Sequence, residues 1–306
     1  MKISIIGAGN VGSLTAMRIA QEGLGDVLLI DVVKGFAHGK ALDLEDARAI
    51  LKYNYHIQGS DDIRQIVDSD IVVITAGLAR KPGMSREELL TKNALILKDV
   101  CLNIKESAKN AIVIVVTNPL DIMTLYALRI TGFKPAKLFG MGISLDAARF
   151  ANLIAQELVI PSTDIEALVI GAHGEGMLPL ARFTKVKGVL LDEFIDDKKI
   201  ESLVSRTIGR GAEIVAGLGT GSAFFAPSAA IAAIVKAIVK DEKRTIGLCC
   251  YLNGEYGIKD TCIGVSCRVG KHGIEKVIEL DLSQEEKARL IKSGDLVAKA
   301  AAQLLA

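Results

Sequence analysis

The apolar run Lys2–Ile6 passes straight into Gly7-Ala8-Gly9-Asn10-Val11-Gly12, and a helix-forming stretch follows. A strand must enter a tight turn there, and a helix must leave it close to the strand. Gly7 suits the turn, Gly9 lets the main chain approach a pyrophosphate, and Gly12 lets helix and strand pack. The helix N-terminus offers oriented amides and positive potential to phosphates. Glycine turns are common, so the next strand matters. Residues 27–30 end in Asp31, nineteen positions after Gly12. A carboxylate there can accept from adenosine ribose hydroxyls and repels a 2′-phosphate. Without the glycines it would read as an ordinary strand-end aspartate. Together they specify a dinucleotide site that takes NAD, with Lys34 loosening the preference over NADP.

The rest of the first 140 residues repeats that unit. Strands are expected at residues 56–58, Ile71–Ile74, 112–116 and 137–139, and helices at 10–22, 36–50, 85–108 and 119–130. Uniformly apolar strands separated by helices imply a parallel sheet covered on both faces. The expected fold is α/β, a doubly wound parallel Rossmann sheet over residues 1–140. Residues 141–306 change rhythm. A helix at 143–158, a strand at 165–170 and helices near 196–216 and 222–240 precede three antiparallel strands at 245–252, 261–270 and 273–280. Ser283 and Glu286 form a capping box that opens a last helix. That is an α+β segment suited to substrate binding and catalysis, and no linker separates it from the first.

Composition narrows the partners. The net charge is +1 over 306 residues, so no global field favours nucleic acid or membrane. The uncharged stretch 214–235 is long enough to span a bilayer, but its glycines, Pro227 and serines read as a loop and a buried helix. No signal peptide is apparent, and the five cysteines lack zinc-ligand spacing. A cytoplasmic protein without a metal and with buried thiols is expected.

Of the four histidines, His38, His56 and His272 read as surface residues. His173 follows an apolar strand and lies between Gly171 and Gly174, which leaves room for another molecule. An imidazole titrates near neutrality and suits proton transfer. Asp146 and Arg149, three apart on one helix, share a face. Asp146 can fix the tautomer of His173, and Arg149 can clamp a carboxylate with paired hydrogen bonds. Both also fit a plain helical ion pair. Asn118, at the end of a parallel strand, faces either the ligand crevice or nothing but a turn before Pro119.

The stretch ITAGLARKPGMSREELL adds Arg80, Lys81 and Arg86. Ser85 and Glu88 mark a helix start, so Arg86 opposes the macrodipole in the first turn, which favours a binding role. Pro82-Gly83 gives the loop a stiff point beside a hinge, as a lid needs. A solvated basic loop is the bland alternative.

Taken in order, GAGNVG, Asp31, AGLARKPGMSR, TNPLD, LDAARF and GAHG resemble the lactate/malate dehydrogenase family over nearly the whole chain. The resemblance is to its malate-specific, lactate-dehydrogenase-like branch. It implies reversible hydride transfer between (S)-malate and oxaloacetate, with NAD as cofactor and His173 as proton acceptor partnered by Asp146. It implies that Arg149 binds the C1 carboxylate, Arg80 the distal one, and that Arg86 polarises the C2 carbonyl. Asn118 then contacts substrate and cofactor. The cofactor residues implied are Gly7, Ala8, Gly9, Asn10, Val11, Gly12, Asp31, Asn93, Val116, Thr117 and Asn118. The resemblance also implies a homodimer or homotetramer. Glu175-Gly176 departs from the aspartate and threonine of many relatives, and GMGISLDAAR from the commoner GMAGVLDSAR. Rival readings are a lactate or other 2-hydroxy acid dehydrogenase, an NAD-dependent glycosidase and a non-catalytic NAD-binding sensor. Arg80 argues against the first, because a buried guanidinium facing a methyl group is costly.

Overall fold

A computed structural model describes residues 1–78 and 85–305, and only the main chain of Arg86 and Leu305. The chain alternates β1 (Lys2–Ile6), α1 (Asn10–Gln21), β2 (Asp26–Ile30), α2 (Phe36–Leu51), β3 (Ile57–Ser60), β4 (Ile71–Ile74), α3 (Arg86–Ser107), β5 (Ile112–Val115), α4 (Leu120–Thr131) and β6 (Leu138–Gly140). There follow α5 (Ile143–Leu158), β7 (Ile165–Glu166), β8 (Val169–Gly171), β9 (Met177–Pro179), β10 (Lys185–Val186), β11 (Val189–Leu190), α6 (Asp197–Leu218) and α7 (Phe225–Val239). The chain closes with β12 (Arg244–Asn253), β13 (Lys259–Gly270), β14 (Gly273–Val277) and α8 (Gln284–Leu305).

The first six strands form a parallel sheet in the order β3-β2-β1-β4-β5-β6. That is the doubly wound order, with the crevice at the carboxyl ends of the strands. The central strands β4 and β5 are apolar throughout and wholly buried because both faces of the sheet are covered, while edge strand β3 (Ile57-Gln58-Gly59-Ser60) is mostly polar. Ile3, Ile5, Ile71, Val73, Ile112 and Ile114 pack into one core cluster. Their alternates Ile6, Val72, Ile74, Val113 and Val115 pack into another on the opposite face. Beyond β6 the same sheet continues antiparallel through β12, β13, β8 and β9, with β14 beside β13. Helices α1 and α7 pack together, and Arg18 Nε donates to Ser228 Oγ across that contact.

Most expected elements stand within one to three residues of their predicted ends. Three differences have local causes. The single strand expected at 165–170 is two, because the Leu168 N–H is taken by Thr184 Oγ1 and cannot join a ladder. Ile165–Glu166 thus pairs with β10 in a separate three-stranded sheet, while Val169–Gly171 enters the large one. The last strand stops at Val277, where the Tyr256 hydroxyl donates to the Ile278 carbonyl and accepts the Leu280 N–H. Strands β9, β10 and β11 are two or three residues long and have no hydrophobic period to read. Helix α8 begins with the reciprocal bonds of a capping box, Ser283 N–H to Glu286 Oε2 and Glu286 N–H to Ser283 Oγ. Among the described residues no helix is long and apolar enough to cross a membrane. The five cysteines are free and buried.

Candidate active site

The glycine turn has the form its sequence requires. Gly7 lies at φ +108°, and a Cβ there would stand 2.7 Å from the Ala76 amide. A Cβ at Gly12 would sit 1.9 Å from the Gly7 carbonyl oxygen, so helix and strand meet with no room for a side chain. A Cβ at Gly9 would meet nothing within 4 Å, and no side chain caps α1. The turn therefore presents open space and unspent amides, a fit for a pyrophosphate. Asp31 Oδ2 accepts the Ala8 N–H at 2.9 Å and Oδ1 accepts the Val33 N–H at 3.0 Å. The carboxylate pins the turn to the end of β2, beside the place where a ribose would lie. Asn10 is exposed and Val11 half-buried at the start of α1.

Further along the crevice, Val116 and Thr117 leave β5, and Thr117 Oγ1 donates to the Ala76 carbonyl at 2.6 Å. Asn118 is exposed. Asn93, on α3, is buried, and its amide is committed to main chain. Nδ2 donates to the Asn118 carbonyl at 2.7 Å and the Leu78 carbonyl at 3.2 Å, while Oδ1 accepts the Leu78 N–H at 2.7 Å. Asn93 thus fixes the shape of the crevice wall through Leu78 and Asn118.

Asp146, Arg149 and His173, the residues expected to handle a proton and a carboxylate, are brought together from two elements. Asp146 and Arg149 project from α5, and His173 follows β8. Asp146 is wholly buried, its Oδ2 stands 2.7 Å from His173 Nδ1, and its Oδ1 accepts from Arg149 Nη1 at 3.1 Å. A Cβ at Gly142 would lie 2.2 Å from Leu120 Cδ2 and 3.2 Å from the His173 Cβ, so the glycine leaves room for both side chains. Arg149 lies against Gly211 of α6, and its Nε is buried without a partner among the described residues. Burial works against the imidazolium, but the charge and hydrogen bond of Asp146, with the charge of Asp121, outweigh it and Arg149. The His173 pKa is raised.

His38, His56 and His272 are exposed, as expected. Arg80 lies outside the described residues, as does the side chain of Arg86. Helix α3 does start at Arg86, with the Ser85 hydroxyl accepting the Glu88 N–H at 3.0 Å. Sequence reasoning missed Asp121, whose Oδ2 accepts the His173 main-chain N–H at 2.8 Å. Asp121 is the one charge between Thr117 and Leu128, a pattern that sets it apart without pointing it at His173. Among the described residues no cluster of metal-ligating side chains occurs.

The chain matches two family models, the lactate/malate dehydrogenase NAD binding domain over residues 1–140 and the lactate/malate dehydrogenase alpha/beta C-terminal domain over residues 143–305. It is 49% identical over 304 residues to a malate dehydrogenase of Methanosarcina mazei, covering 99% of both chains. Among solved structures it is similar to the malate dehydrogenase of Cryptosporidium parvum, with TM-score 0.96 and 39% identity over 99% of this chain and 98% of that one. It is also similar to the lactate dehydrogenase of the same organism complexed with lactic acid and nicotinamide adenine dinucleotide, with TM-score 0.95 and 36% identity over 99% and 97%.

Proposed function

The chain belongs to the lactate/malate dehydrogenase family, and we infer that it is an NAD-dependent malate dehydrogenase, interconverting (S)-malate and oxaloacetate. The observation that carries the chemistry is the bond between His173 Nδ1 and Asp146 Oδ2. With Nδ1 held, Nε2 is the nitrogen left to take the malate hydroxyl proton, and to return it to oxaloacetate. Such a positioned base contributes about 10²–10⁴-fold. Asp146 keeps the tautomer and stabilises the imidazolium.

NAD supplies the hydride acceptor for malate oxidation, and NADH the donor in reverse. Gly7, Ala8, Gly9, Asn10, Val11 and Gly12 are assigned to its pyrophosphate, and Asp31 to its adenosine ribose. Val116, Thr117 and Asn118 are assigned to its nicotinamide half, with Asn93 shaping that wall. Arg149, already poised by Asp146 and with Nε unspent, is assigned to the C1 carboxylate. Arg80 is assigned to the C4 carboxylate and Arg86 to the C2 carbonyl oxygen, a contribution of roughly 3 kcal/mol for comparable donors.

The division of labour is placed near residue 140. Residues 1–140 bind NAD and residues 141–306 carry substrate binding and catalysis, a reading supported by the switch from parallel to antiparallel pairing after β6. Leu42, Ile50 and Leu51 of α2 are exposed, and a homodimer or homotetramer would cover them. The buried free thiols suit the cytoplasm.

A lactate dehydrogenase reading draws on the likeness to the Cryptosporidium lactate enzyme. The test is NADH oxidation with oxaloacetate, with pyruvate and with no keto acid. Turnover with oxaloacetate well above pyruvate is expected, and preference for pyruvate would overturn the malate assignment.

A further inference from the structure

Asp121 has no part in the roles assigned above. It stands in the first turn of α4, 4% exposed, in a stretch otherwise free of charge. Oδ2 accepts the His173 N–H, while Oδ1 is buried without a hydrogen-bond partner among the described residues. The Cys249 thiol lies beside the carboxyl. The helix macrodipole favours an acid in a first turn. It does not account for one that is buried, half-satisfied and turned toward another loop, an arrangement that costs stability.

The loop it reaches is the hairpin turn between β8 and β9, closed by the pairing of Gly171 with Met177 and by the Met177 N–H donating to the Gly174 carbonyl at 3.2 Å. Gly171 and Gly174, on either side of His173, both have positive φ, and the Ala172 and His173 N–H groups between them are bound by side chains from outside the hairpin. Two neighbours supply the ties. Ser293 Oγ of α8 accepts the Ala172 N–H at 3.3 Å and donates to the Gly176 carbonyl at 3.4 Å. Asp121 takes the N–H of His173 itself. The base is thus held twice, its ring by Asp146 from α5 and its main chain by Asp121 from α4. Only Pro119 and Leu120 separate Asp121 from Asn118 on the crevice wall. One short segment therefore carries both the cofactor wall and the support of the base.

We propose that Asp121 is a positioning residue for the proton-transfer step, fixing His173 relative to the cofactor crevice through its hydrogen bond to the His173 main-chain N–H. This rests on the reading of His173 as the base. Asp146 orients the ring about its own bonds, and Asp121 sets where the residue stands along the crevice.

The test compares Asp121→Ala with Asp121→Asn in the full-length enzyme. Displacement of a catalytic group by about 1 Å costs on the order of 10²-fold, so Asp121→Ala should lower kcat by roughly that factor. Its NADH dissociation constant, read by fluorescence titration, should stay within about twofold of wild type, since the base does not hold the dinucleotide. Asp121→Asn keeps an acceptor for the His173 N–H and should recover most of the lost kcat. If Asp121→Ala does not fold, Asp121→Ser, too short to reach His173, takes its place with the same expectation. An unchanged kcat in the loss variant overturns the proposal. So does loss of NADH affinity in step with kcat, and so does an asparagine variant as impaired as alanine. Wild-type enzyme is assayed first on oxaloacetate and pyruvate. If only pyruvate turns over, the malate reading fails and the Asp121 comparison is run on pyruvate.

Discussion

His173 Nδ1 and Asp146 Oδ2 lie 2.7 Å apart, with the carboxylate fully buried and its second oxygen held by Arg149. Burial alone would make the imidazolium harder to form. The paired carboxylate reverses that, and the raised His173 pKa sets the direction of the pH dependence.

With His173 proposed as the base, oxaloacetate reduction needs the imidazolium. Its kcat/KM should hold at pH below the raised pKa and fall as pH climbs through it. Malate oxidation needs the neutral ring and should rise over the same interval. Stability follows the same sign: the contribution is present below 6.5, the ordinary value, and is lost as pH rises through the folded-state pKa. Asp146→Asn removes the charge, so the reductive limb should move to lower pH. A limb that stays in place would remove Asp146 as its cause.

His173→Asn should leave NADH binding nearly intact and abolish most turnover, because the base acts on substrate. Equilibrium NADH titration and steady-state kinetics on one preparation separate the two effects. A variant that keeps a large fraction of wild-type kcat would exclude His173 as the base.

Arg80→Gln should weaken transition-state binding of oxaloacetate by roughly 2–5 kcal/mol, as for a truncated buried charge pair, and change pyruvate little. Arg86→Gln should damage both substrates, since both carry the carbonyl. The measurement is kcat/KM of each variant on each keto acid. Equal losses for Arg80→Gln would mean that this residue does not read the second carboxylate.

Gly12→Ala places a Cβ 1.9 Å from the Gly7 carbonyl oxygen, a backbone atom that cannot swing aside. Overpacking of this kind costs about 1–3 kcal/mol. Both thermal stability and NADH affinity should fall. Gly9→Ala meets nothing within 4 Å and should fold normally while losing NADH affinity, because its methyl occupies the space left for the phosphates. Equal effects on stability would contradict the separate roles of the two glycines.

Asp31 should favour NADH over NADPH, although it is already bonded to the Ala8 and Val33 amides. Efficiency ratios for the two cofactors in wild type, Asp31→Ala and Lys34→Glu test this. The ratio should collapse in the first variant and rise in the second, and equal or better use of NADPH by wild type would remove Asp31 as the discriminator.

The parallel half was legible because its central strands β4 and β5 are apolar on both faces and Gly7 and Gly12 each have one stereochemical use. His173, Asp146 and Arg149 were legible because a histidine between glycines and a helical pair three apart are local patterns. Their pairing was legible too, as the expected contact of Asp146 with a ring nitrogen of His173, and the 2.7 Å separation of Asp146 Oδ2 and His173 Nδ1 agrees with it. Asp121 escaped notice because a lone acid at a helix start reads as a dipole partner, and nothing local points it at residue 173. The split of 165–170 turned on a side-chain bond from Thr184, sixteen residues from Leu168, which no period reveals.

β8, which delivers His173 to the crevice, is held in the large sheet by β13 and β9, with Gly171 paired to Gly264. β6 is covered on its outer side by β12. Both β12 and β13 leave the ribosome long after the strands they complete. In a growing chain that stops short of α7, the edge of β6 is bare, the histidine loop lacks β13, and α1 lacks the α7 helix that packs on it. Such an edge invites pairing with other chains. The buried face of α1, the helix that leaves the glycine turn, shares its core with α7, so the turn and the histidine loop both wait for chain made late in synthesis.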